Sequence, residues 1–291
     1  MKVQDGCDYF CTFCTIPLAR GSSRSASIEE TVKKVQIAAD SGAKEMVLTG
    51  VNLGDFGVKN GENFYGLLKA LDTLESIQRY RISSIEPNLL TDEIIRFVAN
   101  SNHIAPHFHI PLQSGSDDIL ERMRRKYKSD LYESRINHIK TLMPHCAIGV
   151  DVIVGFPGET DEEFLKTYNF LNELDITYLH VFPYSERPNT TANKMKEVVP
   201  LKVRGERVEM LRILSEKKRQ AFYRQHLNTV RAVLFEKEEK GGIMHGFTDN
   251  YIKVSAPYDP LMINEIVEVR LEQMLDDGTM SCSELLQLEK H

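Results

Sequence analysis

Cys7, Cys11 and Cys14 stand in a C-x3-C-x2-C run within Gln4-Asp5-Gly6-Cys7-Asp8-Tyr9-Phe10-Cys11-Thr12-Phe13-Cys14. Three thiolates that close together suit a soft metal centre, and an iron–sulfur cluster is the natural candidate. A closed cubane takes four cysteine ligands, so a local set of three leaves one iron open to a small molecule, and an open iron implies chemistry. Two structural uses of cysteine compete. A zinc site needs four ligands, yet no second C-x2-C pair exists, the first histidine is His103, and Cys146 and Cys282 are isolated. A disulfide framework sits badly with an odd count of five cysteines in a 291-residue chain.

The cysteines must be held by what surrounds them. Lys2–Gln4 reads as a short strand leading into the cysteine loop, and Ser27-Ile28-Glu29-Glu30 as a capping box that opens a helix stopped by Gly42. Glu45–Thr49 then reads as a buried strand ending in the loop Gly50-Val51-Asn52-Leu53-Gly54, with a helix over Phe64–Leu74. The unit repeats: strand Tyr80–Ile85, helix Thr91–Ala99, strand Phe108–Leu112, helical segments between Asp117 and Met143, and strand Ile148–Val154. A second capping box, Thr160-Asp161-Glu162-Glu163, opens helix Glu162–Leu174, and strand Tyr178–Phe182 closes the series. Six strands alternating with helices predict an α/β fold with a parallel sheet and right-handed crossovers. Short strands allow curvature into a partial barrel with function at the C-terminal strand ends. A flat doubly wound sheet has the same periodicity, but its G-x-G-x-x-G fingerprint is absent.

The pattern changes at Pro183. A long helix is expected over Val203–Gln225, carrying Lys/Arg at 202, 204, 207, 212, 217, 218, 219 and 224, either a solvated face or an RNA-facing stripe. Beyond Leu227 the chain reads as five short strands, Val230–Phe235, Ile243–Phe247, Tyr251–Val254, Glu265–Leu271 and Thr279–Cys282, which suggest a small OB-like barrel. The expected domains are 1–224 and 225–287.

Composition bounds the partners. With 42% hydrophobic and 27% charged residues the chain is ordinary for a soluble globular protein, and no apolar stretch approaches the roughly 18 residues of a membrane span. No secretory signal pattern is present, and few, unpaired cysteines fit a reducing cytoplasm. A net charge of −6 restricts any RNA contact to local surfaces. Met1 lies directly before the first expected core strand, an abruptness that suggests a fragment or an unusually short gene product.

The cysteine run, with Phe13 before its last member, resembles the signature of radical S-adenosylmethionine enzymes. The resemblance implies a [4Fe–4S] cluster on Cys7, Cys11 and Cys14, with the amine and carboxylate of S-adenosylmethionine on the open iron. It also implies reductive cleavage of that cofactor to a 5′-deoxyadenosyl radical. Val3–Cys7, Pro17–Ser25, His109–Ser116 and Asp151–Thr160 are similar to the methylthiotransferase family within that group. Residues 246–251, Gly-Phe-Thr-Asp-Asn-Tyr, resemble its RNA-binding TRAM domain. The implied architecture is a partial (βα)6 barrel of the radical SAM type followed by the small TRAM β-barrel. Arg81–Pro87 is most similar to the branch that converts N6-threonylcarbamoyladenosine beside the tRNA anticodon into its 2-methylthio derivative. The family pattern includes an N-terminal domain with three further cysteines for a second, sulfur-donating cluster, which this sequence does not contain. A non-catalytic tRNA-binding remnant, or an enzyme of the ribosomal-protein aspartate branch, are the alternatives.

The same resemblance assigns roles. Gly50 and Asn52 would face the amino acid moiety of the cofactor, though an ordinary turn explains them nearly as well. Glu86 would hold the ribose hydroxyls, against a buried capping role. Gln113, Arg125 and Asp151 stand where related enzymes contact the cofactor. Arg125 could pair a carboxylate bidentately, and Asp151, inside an apolar strand, must be paired if ionised. Gly155 and Gly158 permit close backbone approach or simply a tight turn. Arg231, Phe247, Tyr251 and Lys253 would offer cations and stacking faces to unpaired nucleotides of a tRNA anticodon stem-loop. Residues 227–291 nevertheless hold six Lys/Arg against twelve Asp/Glu, which weakens a purely electrostatic contact. An electron donor such as flavodoxin or ferredoxin, and a sulfur source, complete the implied partners.

Overall fold

A computed structural model describes residues 1–284. The first unit comprises β1 (Gln4–Asp5), α1 (Ile16–Arg20), β2 (Arg24–Ser25), α2 (Ile28–Asp40), β3 (Glu45–Leu48), α3 (Phe64–Asp72), β4 (Arg79–Ile82) and α4 (Asp92–Asn100). It continues through β5 (His107–His109), α5 (Asp117–Arg122), α6 (Ser129–Leu142), β6 (Ala147–Val154), α7 (Asp161–Glu173), β7 (Tyr178–Pro183) and α8 (Leu201–Gln225). The second is β8 (Val230–Lys240), β9 (Ile243–Thr248), β10 (Lys253–Pro257), β11 (Ile266–Met274) and β12 (Met280–Glu284).

Parallel pairing follows chain order. β3 pairs with β4, and β5, β6 and β7 form a three-stranded sheet. Single parallel bridges, Lys2 to Thr49, Tyr80 to Ile104 and Ser84 to His109, join the pieces. The expected strand over Lys2–Gln4 is therefore mostly a bridge; the regular pairing next to it is antiparallel, β1 with β2, and it closes the cysteine loop. One residue face of each strand packs under the helices: Leu48, Tyr80, Ile82, Phe108, Ile148 and Val150 are buried in one continuous core. The first capping box is complete, Ser27 Oγ accepting from Glu30 N–H at 3.1 Å and the Glu30 carboxylate from Ser27 N–H at 3.1 Å. The second is half made. Thr160 accepts from Glu163 N–H at 3.2 Å, but the Glu163 carboxylate takes Ser116 Oγ and Lys166 instead.

The five C-terminal strands close into a barrel in the order β10-β12-β11-β8-β9, with β10 and β12 parallel. Closure removes the sheet edges, and Val233, Phe235, Met244, Val254, Val269 and Leu271 fill the interior. The expected domain end at 287 lies outside the described residues.

α8 buries part of the expected basic stripe. Arg204 is fully buried, donating to Val199 O at 2.8 Å, Tyr184 O at 2.7 Å and Glu186 at 2.6 Å. Arg207 holds Glu159 and Asp161 at 2.7 Å each. Lys218 caps carbonyls at the end of α7, among them Asn172 O at 2.8 Å. These three fasten α8 to the core, with Lys218 half-buried, while Lys202, Arg212, Lys217 and Arg224 remain exposed.

The barrel seats on the N-terminal part of β4, beside the start of β3. Arg79 donates to Ala232 O at 3.0 Å and Phe247 O at 3.2 Å, and Arg81 to Asp249 O at 3.0 Å and Thr248 O at 3.1 Å. Glu45, next to them on β3, pairs with both guanidinium groups and neutralises part of their charge. Its carboxyl is held below the usual range because the Arg81 and Arg79 charges outweigh a substantial burial penalty.

Candidate active site

The cysteine loop is built on Gln4 and Gly6. Gln4 is buried; its Nε2 donates to Gly6 O at 2.8 Å and Ser23 Oγ at 3.0 Å, and its Oε1 accepts from Val51 and Asn52 N–H at 2.9 Å. One side chain thus ties the cysteine loop to the loop after β3. Gly6 has φ +69°, and a Cβ there would lie 2.1 Å from Ser22 O, so no other residue fits without moving the backbone. Cys7 N–H then bonds Gly21 O at 3.1 Å, and Cys14 N–H bonds Cys11 O at 3.1 Å, which folds the three thiols into one turn.

Each sulfur has a donor. Tyr9 N–H points at Cys7 Sγ (3.3 Å), Ile16 N–H at Cys14 Sγ (3.4 Å) and Arg125 Nη1 at Cys11 Sγ (3.2 Å). Burial, the Asp55 carboxylate and the other two thiols still push Cys7 up to about 11, and burial raises Cys14 likewise. Two thiols that burial keeps protonated, on one loop with a third that faces a guanidinium, are a ligand set that a metal centre would deprotonate. Cys146, by contrast, lies buried in the apolar core, its thiol pushed up to about 12.

Arg125 links this loop to the strand ends. It pairs with Glu86, donates to Tyr127 Oη at 3.1 Å and lies over the Tyr127 ring. Tyr127 is itself buried and bonds Pro111 O at 2.8 Å and Leu112 O at 2.7 Å. Glu86 and Arg125 therefore come together beside Cys11, in a buried pair and not a surface salt bridge. Nothing local in sequence marks Tyr127; its role appears only when the turn after α5 folds under β5.

The loop after β3 adds Gly50 and Asn52. A Cβ on Gly50 would meet Gln4 Oε1 at 3.0 Å, so its smallness serves the Gln4 bridge. Asn52 Nδ2 donates to Asp55 at 2.9 Å, while its buried Oδ1 has no partner. Asn88, bonded to Tyr9 Oη at 2.7 Å, likewise has an unpartnered buried Oδ1. Orphaned acceptors around the sulfurs fit a ligand with N–H or O–H donors, such as the amino group and ribose of S-adenosylmethionine.

Gln113 lies in the left-handed region at φ +70°, a strain of about 1–3 kcal/mol that its neighbours must hold. Its N–H donates to Asp151 O at 2.8 Å and its carbonyl accepts from Ile153 N–H at 2.9 Å. The Asp151 carboxylate is paired, as its burial requires, but with His109 Nε2 at 2.7 Å. Gly155 and Gly158 are turn glycines: the Arg204 and Arg122 side chains occupy the space a Cβ would take.

The nucleotide-facing candidates on the barrel cluster on its seam with the core. Tyr251 stacks on His107 (centroids 4.4 Å apart) and on Phe247 (4.9 Å), with Arg81 5.1 Å from its ring centre. Arg231 pairs with Asp249 at 3.2 Å. Lys253 begins β10, its N–H on Tyr223 Oη at 3.0 Å. Tyr251 thus packs on the core through His107 while staying 36% exposed, and the Arg231–Asp249 pair lies within the barrel.

No described helix is long and apolar enough to cross a membrane. The chain is 45% identical over 277 residues to a Bacillus subtilis protein named threonylcarbamoyladenosine tRNA methylthiotransferase MtaB, covering 93% of this chain and 61% of that one. It is 44% identical to the Aquifex aeolicus protein of the same name, covering 87% and 61%. A Desulfitobacterium hafniense tRNA-2-methylthio-N(6)-dimethylallyladenosine synthase is 32% identical, covering 94% and 62%. The chain spans about three fifths of the length of these relatives. Among solved structures, the radical S-adenosylmethionine methyltransferase TsrM from Kitasatospora setae superposes with TM-score 0.57 at 16% identity, over 66% of this chain and 37% of that one. Streptococcus suis SuiB bound to S-adenosylmethionine gives 0.51 at 17% identity, over 74% and 46%. Both support the fold. Residues 1–171, which contain the three sulfurs, the Glu86–Arg125 pair and the strand ends around them, match the radical SAM superfamily, and this chain belongs to it.

Proposed function

We propose that this chain carries the radical-generating core and the RNA-binding barrel of a tRNA methylthiotransferase acting at C2 of N6-threonylcarbamoyladenosine next to the anticodon. The observation that carries it is the 45% identity to a relative of that name, extending across the core and into the barrel. In this reading residues 1–224 form a partial (βα)6 barrel and 225–287 a TRAM domain, and the protein works in the cytoplasm.

Cys7, Cys11 and Cys14 would hold a [4Fe–4S] cluster, which with S-adenosylmethionine supplies a 5′-deoxyadenosyl radical able to take hydrogen from an unactivated C–H. The chain's own residues do the positioning. Arg125 donates to Cys11 Sγ at 3.2 Å and so holds that sulfur in place. Glu86, fixed by Arg125, and Asn52 and Asn88, with unpartnered oxygens, would receive the donors of the cofactor. Gly50 lets Gln4 keep the loop after β3 against the cysteine loop. Gln113, held by Asp151, directs the backbone at the end of β5. Electrons from a flavodoxin or ferredoxin and a sulfur source complete the reaction.

The test is isotopic. An anticodon stem-loop carrying N6-threonylcarbamoyladenosine with deuterium at C2 is incubated with the reconstituted chain, S-adenosylmethionine and reductant. Deuterium in 5′-deoxyadenosine supports the assignment even where no sulfur is inserted. Transfer from the dimethylallyl substrate alone would sink it.

A further inference from the structure

We propose that His109, Asp151 and His180 form a binding site for a divalent transition metal of the zinc or iron(II) class, separate from the cysteine loop. The three residues come from adjacent parallel strands, β5, β6 and β7. Register sets Asp151 opposite His180 and His109 opposite Gly149, two residues before Asp151. Their donor atoms all lie within 4.8 Å of one another, with His109 Nε2 and Asp151 Oδ1 at 2.7 Å and the two imidazole centroids at 5.3 Å.

Two imidazoles and one carboxylate are a donor set used for zinc with an open position and for non-haem iron. Metal–ligand bonds of about 2.0–2.2 Å put tetrahedral donors about 3.4 Å apart. The trio reaches that spacing by rotating side chains on a fixed sheet. His180 is the exposed member and has room to swing. A hydrogen-bonded His–Asp pair alone would account for His109 and Asp151, but not for a third donor from the next strand. Asp151 stands on the sheet face opposite the core residues Val150 and Val152, and an oxygen or sulfur group of a bound substrate would complete the coordination there.

Equilibrium dialysis of the cluster-loaded chain against Zn²⁺, with elemental analysis, reads this site directly. One zinc beyond the cluster is expected, and His180→Ala or Asp151→Asn should weaken it by about 100-fold or more. Co²⁺ added to the chain with Cys7, Cys11 and Cys14 replaced by Ser should give visible bands that His109→Ala removes, separating the site from the thiols. Iron content and thermal midpoint of the cluster-loaded variants report their folding. Zinc uptake that stays below one equivalent, or that is unchanged in the His109→Ala/His180→Ala variant, overturns the proposal.

Discussion

Replacing Arg125 by Met keeps the length of the side chain and removes its charge, in a place where charge is expensive to strand. The Arg125 side chain is 4% exposed and that of Glu86 13%, so Arg125→Met leaves a buried carboxylate without its counter-ion. Breaking a buried pair from one side costs about 3–5 kcal/mol. Glu86→Gln strands the guanidinium in turn, though Tyr127 and Cys11 still face it, and should cost less. The double variant contains no unpaired charge. Its loss should fall short of the sum of the singles by about 3 kcal/mol, near the upper end of measured pair couplings. Urea unfolding of the cluster-free chain under anaerobic reducing conditions, followed by circular dichroism, measures all four corners of the cycle. The double variant should recover stability without recovering cofactor binding, because both side chains also face the site. Single losses that add within about 0.5 kcal/mol would refute the coupling and the placement of Glu86 against Arg125.

Gly6→Ala should destabilise the chain by more than about 2 kcal/mol and abolish iron uptake, since its Cβ would lie 2.1 Å from Ser22 O; iron content and a urea midpoint measure both. Tyr127→Phe removes one hydroxyl that serves Pro111, Leu112 and Arg125, for a loss of about 1–3 kcal/mol seen as a lower unfolding midpoint. Glu45 has a depressed folded pKa, so its contribution is present above the ordinary value of 4.5 and is lost as pH falls from there through the lower folded value. Stability measured across that range should fall for the wild type and fall less steeply for Glu45→Gln.

The alternation of strands and helices was legible because apolar runs of four to six residues between capped helices have few other meanings. The three cysteines stood out by spacing alone, and the structure places Cys11 against Arg125. The positions of Glu86 and Arg125 could be marked, but their union with Cys11 depends on the turn after α5, which brings residues 39 apart into contact. The misread residues share a cause. Arg204, Arg207, Arg231 and Tyr251 look like surface groups in sequence, yet each meets partners from another element: the segments after β7 and β6, the turn after β9 within the barrel, and His107 across the seam between core and barrel. Charge and aromaticity do not say on which side of a docking surface a residue lies. Gln4 is the instructive omission, a polar residue in the first pairing whose five hydrogen bonds join two loops that are 47 residues apart.

Cys7, Cys11 and Cys14 should make this chain a source of a carbon radical. Anaerobic reconstitution with iron and sulfide, followed by reductant and S-adenosylmethionine, should yield 5′-deoxyadenosine, and the yield should vanish when the three cysteines are replaced by serine. A chain that takes up its cluster, binds S-adenosylmethionine and releases no 5′-deoxyadenosine would contradict it.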